Sequence, residues 1–279
     1  MLPLLISAAV SAASVAACVL TNTKSETAGF CGVAGFFVTY FLVGFLVRRK
    51  VKAVQNELQE QMESGQKRMS RKIQQFQSKP NGNIKAIQRQ LEKDQMEMIS
   101  SALDFTKRLE PFKKWSTLMG RQIDTIRMQF LYQLKEFEQV DELLAKKGLF
   151  KGPMMMEPIT LAMKMARQYK NDDIKGAEKT FKRRIKWFRG SRGSLLYGLM
   201  SWIYMKQGES EKARQLLLKG KEATSNEALA SNWQLLSNNK DKSFSNAGLG
   251  EEWYALYLEN PPTPKPQRMR GDARGGRGF

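Results

Sequence analysis

The sequence predicts an all-α chain built as a two-span transmembrane hairpin, a helical linker and a stack of helical hairpins. Three observations predict it. Two uncharged stretches, 2–20 and 28–47, open the 279-residue chain, and apolar residues then recur at three-, four- and seven-residue intervals over 51–126. Beyond Ile126 the sequence repeats itself with a period in the mid-thirties. The parts are expected at residues 1–47, 48–110 and 111–260. A tail rich in Pro, Arg and Gly, 261–279, holds too little apolar content to fold.

Each apolar stretch has about the length a helix needs to cross a bilayer core. The second is the bulkier, with Phe36, Phe37, Tyr40, Phe41 and Leu42, whereas the first is rich in Ala and Ser. Val15-Ala16-Ala17-Cys18 resembles a lipoprotein processing site, but Met1-Leu2-Pro3-Leu4-Leu5 lacks the Lys or Arg of a signal. The short polar link 21–27 implies an antiparallel hairpin, and small residues at four-residue spacing, Ala9, Ala13 and Ala17 against Ala28 and Gly32, would let the two backbones approach. Arg48, Arg49, Lys50 and Lys52 follow the second span directly, so both termini and the soluble part are expected on the cytoplasmic face of a bacterial inner membrane or its equivalent.

In the linker, Val51, Val54, Leu58, Met62, Met69, Ile73 and Phe76 keep helical spacing up to the turn signal Lys79-Pro80-Asn81-Gly82-Asn83. Apolar residues then recur every seven positions at Ile84, Leu91, Met98, Phe105, Phe112, Met119 and Ile126. Two arrangements fit: a coiled-coil seam that makes a homodimer, or an antiparallel pair within one chain. Pro111 should end one helix at about Glu110 and open the next.

The repeat has three copies. Each carries a tyrosine, a polar turn, a small or β-branched residue, and a bulky apolar residue four positions later: Tyr132, Val140 and Leu144; Tyr169, Ala177 and Phe181; Tyr204, Ala213 and Leu217. Val140, Ala177 and Ala213 lie 37 and 36 residues apart. The tyrosine ends one helix, the turn reverses the chain, the small residue admits the second helix and the bulky one fills the space beneath the next hairpin. With Met200, Ser201, Gly208 and Gly220 in the third copy and Ala166 in the second, this resembles the tetratricopeptide repeat over about residues 115–225. The period exceeds that family's ~34 residues and the first two turns are one residue short. The resemblance implies a surface that binds a peptide or protein partner, and no chemistry. A degenerate fourth unit, with helices near 226–236 and 250–259, would cap the stack.

Composition excludes much. The chain has no histidine, and both cysteines, Cys18 and Cys31, lie in the apolar stretches. Serine–histidine, cysteine–histidine and zinc chemistry are therefore ruled out of the soluble part. No cofactor, metal or catalytic constellation is expected, and the chain reads as a non-enzyme. Net charge is +19, with 14 basic against 8 acidic residues over 48–110 and 18 against 9 over 111–190. Such a balance favours an anionic partner. Its sharpest concentration is Lys182, Arg183, Arg184, Lys186, Arg189 and Arg192 interleaved with Trp187 and Phe188, which suits RNA or an anionic lipid surface as well as the solvated face of a helix. Met154-Met155-Met156 is expected in the core. The leading functional expectation is a membrane-anchored scaffold whose linker sets the distance to a recruited protein; the alternative is a tethered contact for RNA, ribosome or anionic lipid.

Overall fold

The computed structural model describes residues 2–21, 24–77, 84–116, 118–146, 148 and 151–261, and every regular element among them is helical. The expected turn at Lys79–Asn83 and the tail from Pro262 lie outside the described residues. The chain forms two compact units, Met1–Asn171 and Asp172–Phe279.

In the first unit, α1 (Leu2–Leu20) packs along the beginning of α2 (Ser25–Gln77). Both are long and apolar enough to cross a membrane, by length and composition. Their large side chains, Phe30, Phe41 and Phe45 among them, face outward. The close approach uses a different face of α1 from the alanine stripe. Ala9, Ala13 and Ala17 are exposed, while Ser7 is buried and Ser11, Ser14 and Val15 meet α2 at Gly32 and Gly35. A Cβ on Gly32 would collide with a Val15 methyl. The physical reason is that serine is as small as alanine for this purpose and also donates: Ser11 Oγ bonds the Gly32 carbonyl across the pair at 2.8 Å, and Ser7 bonds the Pro3 carbonyl at 2.8 Å.

No proline interrupts 25–77, and α2 runs unbroken for 53 residues, about 80 Å. The composition changes at Val47; the backbone does not. Beyond that point α2 packs antiparallel to α3 (Ile84–Phe105), with Gln61 bonded to Ser101 at 2.8 Å and Arg108 paired with Glu57 at 3.3 Å. Gly65 lies directly under Met98, whose sulfur occupies the space a Cβ would need. Within the chain α2 and α3 thus form an antiparallel pair, one of the two arrangements the seven-residue spacing allows.

The helix expected to reach Glu110 stops at Phe105. Thr106–Lys114 is a 3-10 stretch that contains Pro111. Proline has no N–H to give and crowds the carbonyl four residues back, which tightens the preceding turns instead of letting α3 continue. This stretch and α4 (Met119–Gln133) return the chain to α2. Leu109, Met119 and Ile123 bury themselves on Val51, flanked by Val47, Val54, Phe112 and Ile126.

α5 (Phe137–Ala145) and α6 (Pro158–Lys170) complete the unit. Arg167 grips Asp141 through two nitrogens at 2.9 and 2.6 Å while stacking on the Phe137 ring at 4.7 Å, and Asn171 adds a third bond to Asp141 at 3.0 Å. Burial pushes the Asp141 carboxyl up, but the bonds from Arg167 and Asn171 outweigh it and hold the group below the ordinary carboxylate range. Of the three methionines expected in the core, Met155 is buried, Met154 is half-buried and Met156 is exposed. They lie in a non-helical segment, where consecutive side chains cannot share one face.

In the second unit α7 (Ile174–Arg184) opens with Asp173 capping the Gly176 N–H at 2.9 Å. Short 3-10 turns at Ile185–Trp187 and Gly190–Gly193 lead to α8 (Ser194–Lys206), which is buried on nearly every side and is followed by α9 (Ser210–Thr224) and α10 (Glu227–Ser237). The helix expected over 250–259 is only α11 (Glu251–Tyr254), because Gly250 and Tyr257 take positive φ on either side of it. Two polar staples hold this end on α8. Asn246 donates to the Gly198 carbonyl at 2.9 Å and accepts from Asn232 at 3.1 Å, both asparagines buried. The Glu259 carboxylate accepts from the indoles of Trp202 and Trp253 at 2.6 and 2.9 Å.

Asp141→Asn is expected to lose about 2 kcal/mol of stability near neutral pH. Because the folded pKa is depressed, this contribution is complete above the unfolded value near ~4 and fades as pH falls through the folded value. Thermal unfolding of the full chain in detergent should show a gap between variant and wild type at pH 7 that narrows at pH 3. Glu259→Gln removes one acceptor oxygen and orphans one indole N–H, so the urea midpoint read by tryptophan fluorescence should fall by the equivalent of about 1–2 kcal/mol. An unmoved midpoint would show that the staple is not a stabilising contact.

Candidate interaction surface

The three turns that carry the sequence period share a backbone form. Lys135, Asp172 and Gly208 stand in the left-handed region at φ 62°, 60° and 75°, 37 and 36 residues apart. At α4 and α8 the closing bonds match as well: Glu136 N–H to the Leu131 carbonyl and Glu209 N–H to the Tyr204 carbonyl, each 2.9 Å. This is the helix-ending motif in which one left-handed residue satisfies the last carbonyls. Only the third turn uses glycine for it. Asn239 at the end of α10 repeats the form, with Lys240 N–H bonded to the Leu235 carbonyl at 2.9 Å.

The residues expected to pack the repeats fall into three groups. Val140, Ala166, Ala177, Phe181, Ser201, Tyr204, Ala213, Leu217 and Gly220 are buried. Leu144 and Tyr169 are half-buried, with Leu143 the more enclosed of its pair. Gly208 is exposed and serves the turn. Within the second unit Gly220 lies against Tyr197, and Phe181 meets the Tyr197 ring edge-on at 5.4 Å. Tyr204 is raised well above the usual phenol range by burial and by its bond to Glu178.

The basic segment forms a ridge on the solvent side of α7 and the turns after it. Lys182, Arg183, Lys186, Trp187, Arg189 and Arg192 are exposed, Arg184 is half-buried, and Phe188 turns inward. Arg184 lies over the Trp187 ring at 4.5 Å, and Arg192 over Phe188 at 5.7 Å. Lys182 is held by Glu178 at 2.6 Å, and that bond, with the one from Tyr204, keeps the Glu178 carboxyl low. Among the described residues no carboxylate pairs with Lys179, Arg183, Lys186 or Arg189. The ridge is longer than the charge run alone indicates. Lys175 and Lys179 extend it, exposed at the i, i+4, i+7 spacing that places them in line with Lys182 on α7. That spacing is the available signal, hidden by the intervening Gly176, Ala177 and Glu178.

Among the described residues no group of three thiols or carboxylates is placed to hold a metal ion. Compared with protein-family models, curated proteins and solved structures, the chain has no significant match.

Exchanging the turn residues tests whether their backbone form matters. Gly208 has open space where a Cβ would stand, so Gly208→Ala alters only the backbone preference and should lower stability by about 1 kcal/mol. Lys135→Gly should raise it by about 0.5–1 kcal/mol. Urea titration of both variants decides this, and equal shifts of the same sign would refute it.

Proposed function

We propose that the chain is a membrane-anchored scaffold. In this reading α1 and the apolar half of α2 form a transmembrane hairpin, and the tetratricopeptide-like helix pairs recruit a protein partner. The observation that carries it is the left-handed turn recurring at Lys135, Asp172 and Gly208 in a chain that begins with two outward-facing apolar helices. Exposed Phe30, Phe41 and Phe45 are stable only under an apolar cover, and lipid supplies one. Arg48, Arg49, Lys50 and Lys52 orient the hairpin with both termini on the cytoplasmic face. The ridge on α7 favours an acidic partner surface, since cations without a carboxylate are grouped there.

A second reading is favoured by one observation. Trp187 is 63% exposed with a guanidinium stacked upon it, an arrangement suited to a nucleic-acid base or a lipid headgroup layer.

One experiment separates the two. Full-length protein in mild detergent, wild type and Lys186→Glu/Arg189→Glu, is cross-linked and captured, and RNA adducts are counted across a salt series. The scaffold reading expects one protein captured in stoichiometric amount and lost with the double variant. RNA adducts that fall steeply with salt, without such a protein, would support the second reading and remove the first. Neither product would remove the scaffold and the nucleic-acid contact alike.

A further inference from the structure

Where the apolar half of α2 ends, a groove of about 980 Å³ lies between α2, the start of α1 and the side formed by Trp115, Ser116, Leu118, Met119 and Gln122. Its two ends differ chemically. Phe41, Gly44 and Phe45 line the lower end, Arg48 and Lys52 the upper, and Trp115 faces them from the returning chain. Arg48 and Lys52 are one helical turn apart and so share a side of α2. They are the charged residues lining the groove, and among the described residues neither has a carboxylate partner. Further along, the amides of Gln55 and Asn56 add neutral donors.

From Phe41 to Gln55 the groove follows α2 for about 21 Å, close to half the ~40–45 Å thickness of a bilayer with its headgroups. An aromatic residue at the level where apolar lining gives way to charge matches the interfacial placement of tryptophan. Arg49 and Lys50 lie on the same stretch of helix but outside the groove.

We propose that this groove binds one anionic glycerophospholipid from the leaflet on the charged side of α2. Its phosphate is held by Arg48 and Lys52, and an acyl chain lies along Phe41, Gly44 and Phe45. The site rests on the membrane anchorage described above and adds to it a built, headgroup-selective contact. The groove matches the length, the polarity gradient and the charge of such a lipid together. A free phosphate would leave the apolar end uncovered, and a zwitterionic lipid would bring, beside its phosphate, an ammonium that Arg48 and Lys52 repel.

The test uses the full chain in detergent and native mass spectrometry. Phosphatidylglycerol, phosphatidylcholine of the same acyl chains, and inorganic phosphate are added in separate arms. Wild type should retain phosphatidylglycerol over phosphatidylcholine by at least tenfold and retain no inorganic phosphate. Arg48→Gln/Lys52→Gln should abolish the preference, a loss on the order of 30-fold for two juxtamembrane cations. Arg49→Gln/Lys50→Gln removes the same charge from the same helix and should leave the preference intact. Gly44→Leu keeps every charge and, having open space at its Cβ, should fold and yet lower retention of both lipids about tenfold. Equal losses in the two charge pairs would reduce the effect to general attraction and overturn the site, as would phosphate binding as well as the lipid. Alkaline carbonate extraction of cell membranes is run in parallel. Release of the chain would overturn the anchorage itself, whereas a chain that stays in the membrane without the lipid preference overturns the groove alone.

Discussion

The first unit depends on the continuity of α2. A helix satisfies its own backbone from one end to the other, and nothing in 25–77 removes a donor or forces a bend, so the apolar and polar halves form one rod. α3, the 3-10 stretch and the first turns of α4 are built against that rod, and α5 and α6 pack on α4. α3 returns along it, with Met98 over Gly65, and the 3-10 stretch around Pro111 brings Leu109, Met119 and Ile123 onto Val51. The α2–α3 pair projects about 45 Å beyond Val47 and comes back, so α4 begins beside Val51, one turn past the apolar half of α2, rather than at the far end of the pair.

Helices packed by apolar faces alone can slide or rotate at little cost, and directional bonds at several contacts of this chain forbid it. Ser11 on the Gly32 carbonyl fixes α1 on α2. Asp141 with Arg167 and Asn171 fixes α5 on α6, and Asn246 with Gly198 fixes the final segment on α8. Asn246 is fully buried, where a polar group without a partner costs about 1–3 kcal/mol, so a shifted register there loses the bond and retains the desolvation cost; at the part-buried Ser11 and Asp141 the cost is smaller. Glu259 between two tryptophans is the extreme case. A carboxylate can accept from both indoles only while Trp202 and Trp253 hold their edge-to-face geometry, with ring centres 5.7 Å apart.

Patterns that repeat are legible in the sequence, and single events are not. The spacing of Val140, Ala177 and Ala213 is readable because it runs in step with the left-handed turns at Lys135, Asp172 and Gly208, 37 and 36 residues apart. The heptads over 84–126 mark a packed face but leave its partner open, since a seam looks the same whether its mate lies in the chain or in a second copy. The Ser11 to Gly32 bond is hidden because serine and alanine are equally small, and only the paired geometry shows which face must donate. The return of Met119 to Val51 depends on the path through a 3-10 stretch, and no local signal states where a chain goes after a proline. Glu259 reads as an ordinary terminal acid until two tryptophans, 57 and 6 residues away in sequence, converge on it.

The two cationic surfaces of the chain, at Arg48–Lys52 and along α7, differ in what remains when salt screens them. On the α7 ridge the charges stand in water, and at physiological ionic strength an interaction beyond about 8 Å is largely lost. Binding there must come from close contacts, with Trp187 contributing the apolar part. At Arg48 and Lys52 the cations sit at the edge of an apolar groove, where one face of a ligand is already out of water and screening is weaker. The same residue types thus serve two ends. Under the two proposals, the ridge would make a contact that yields to salt and suits a partner that comes and goes, and the groove a contact that persists while it is occupied.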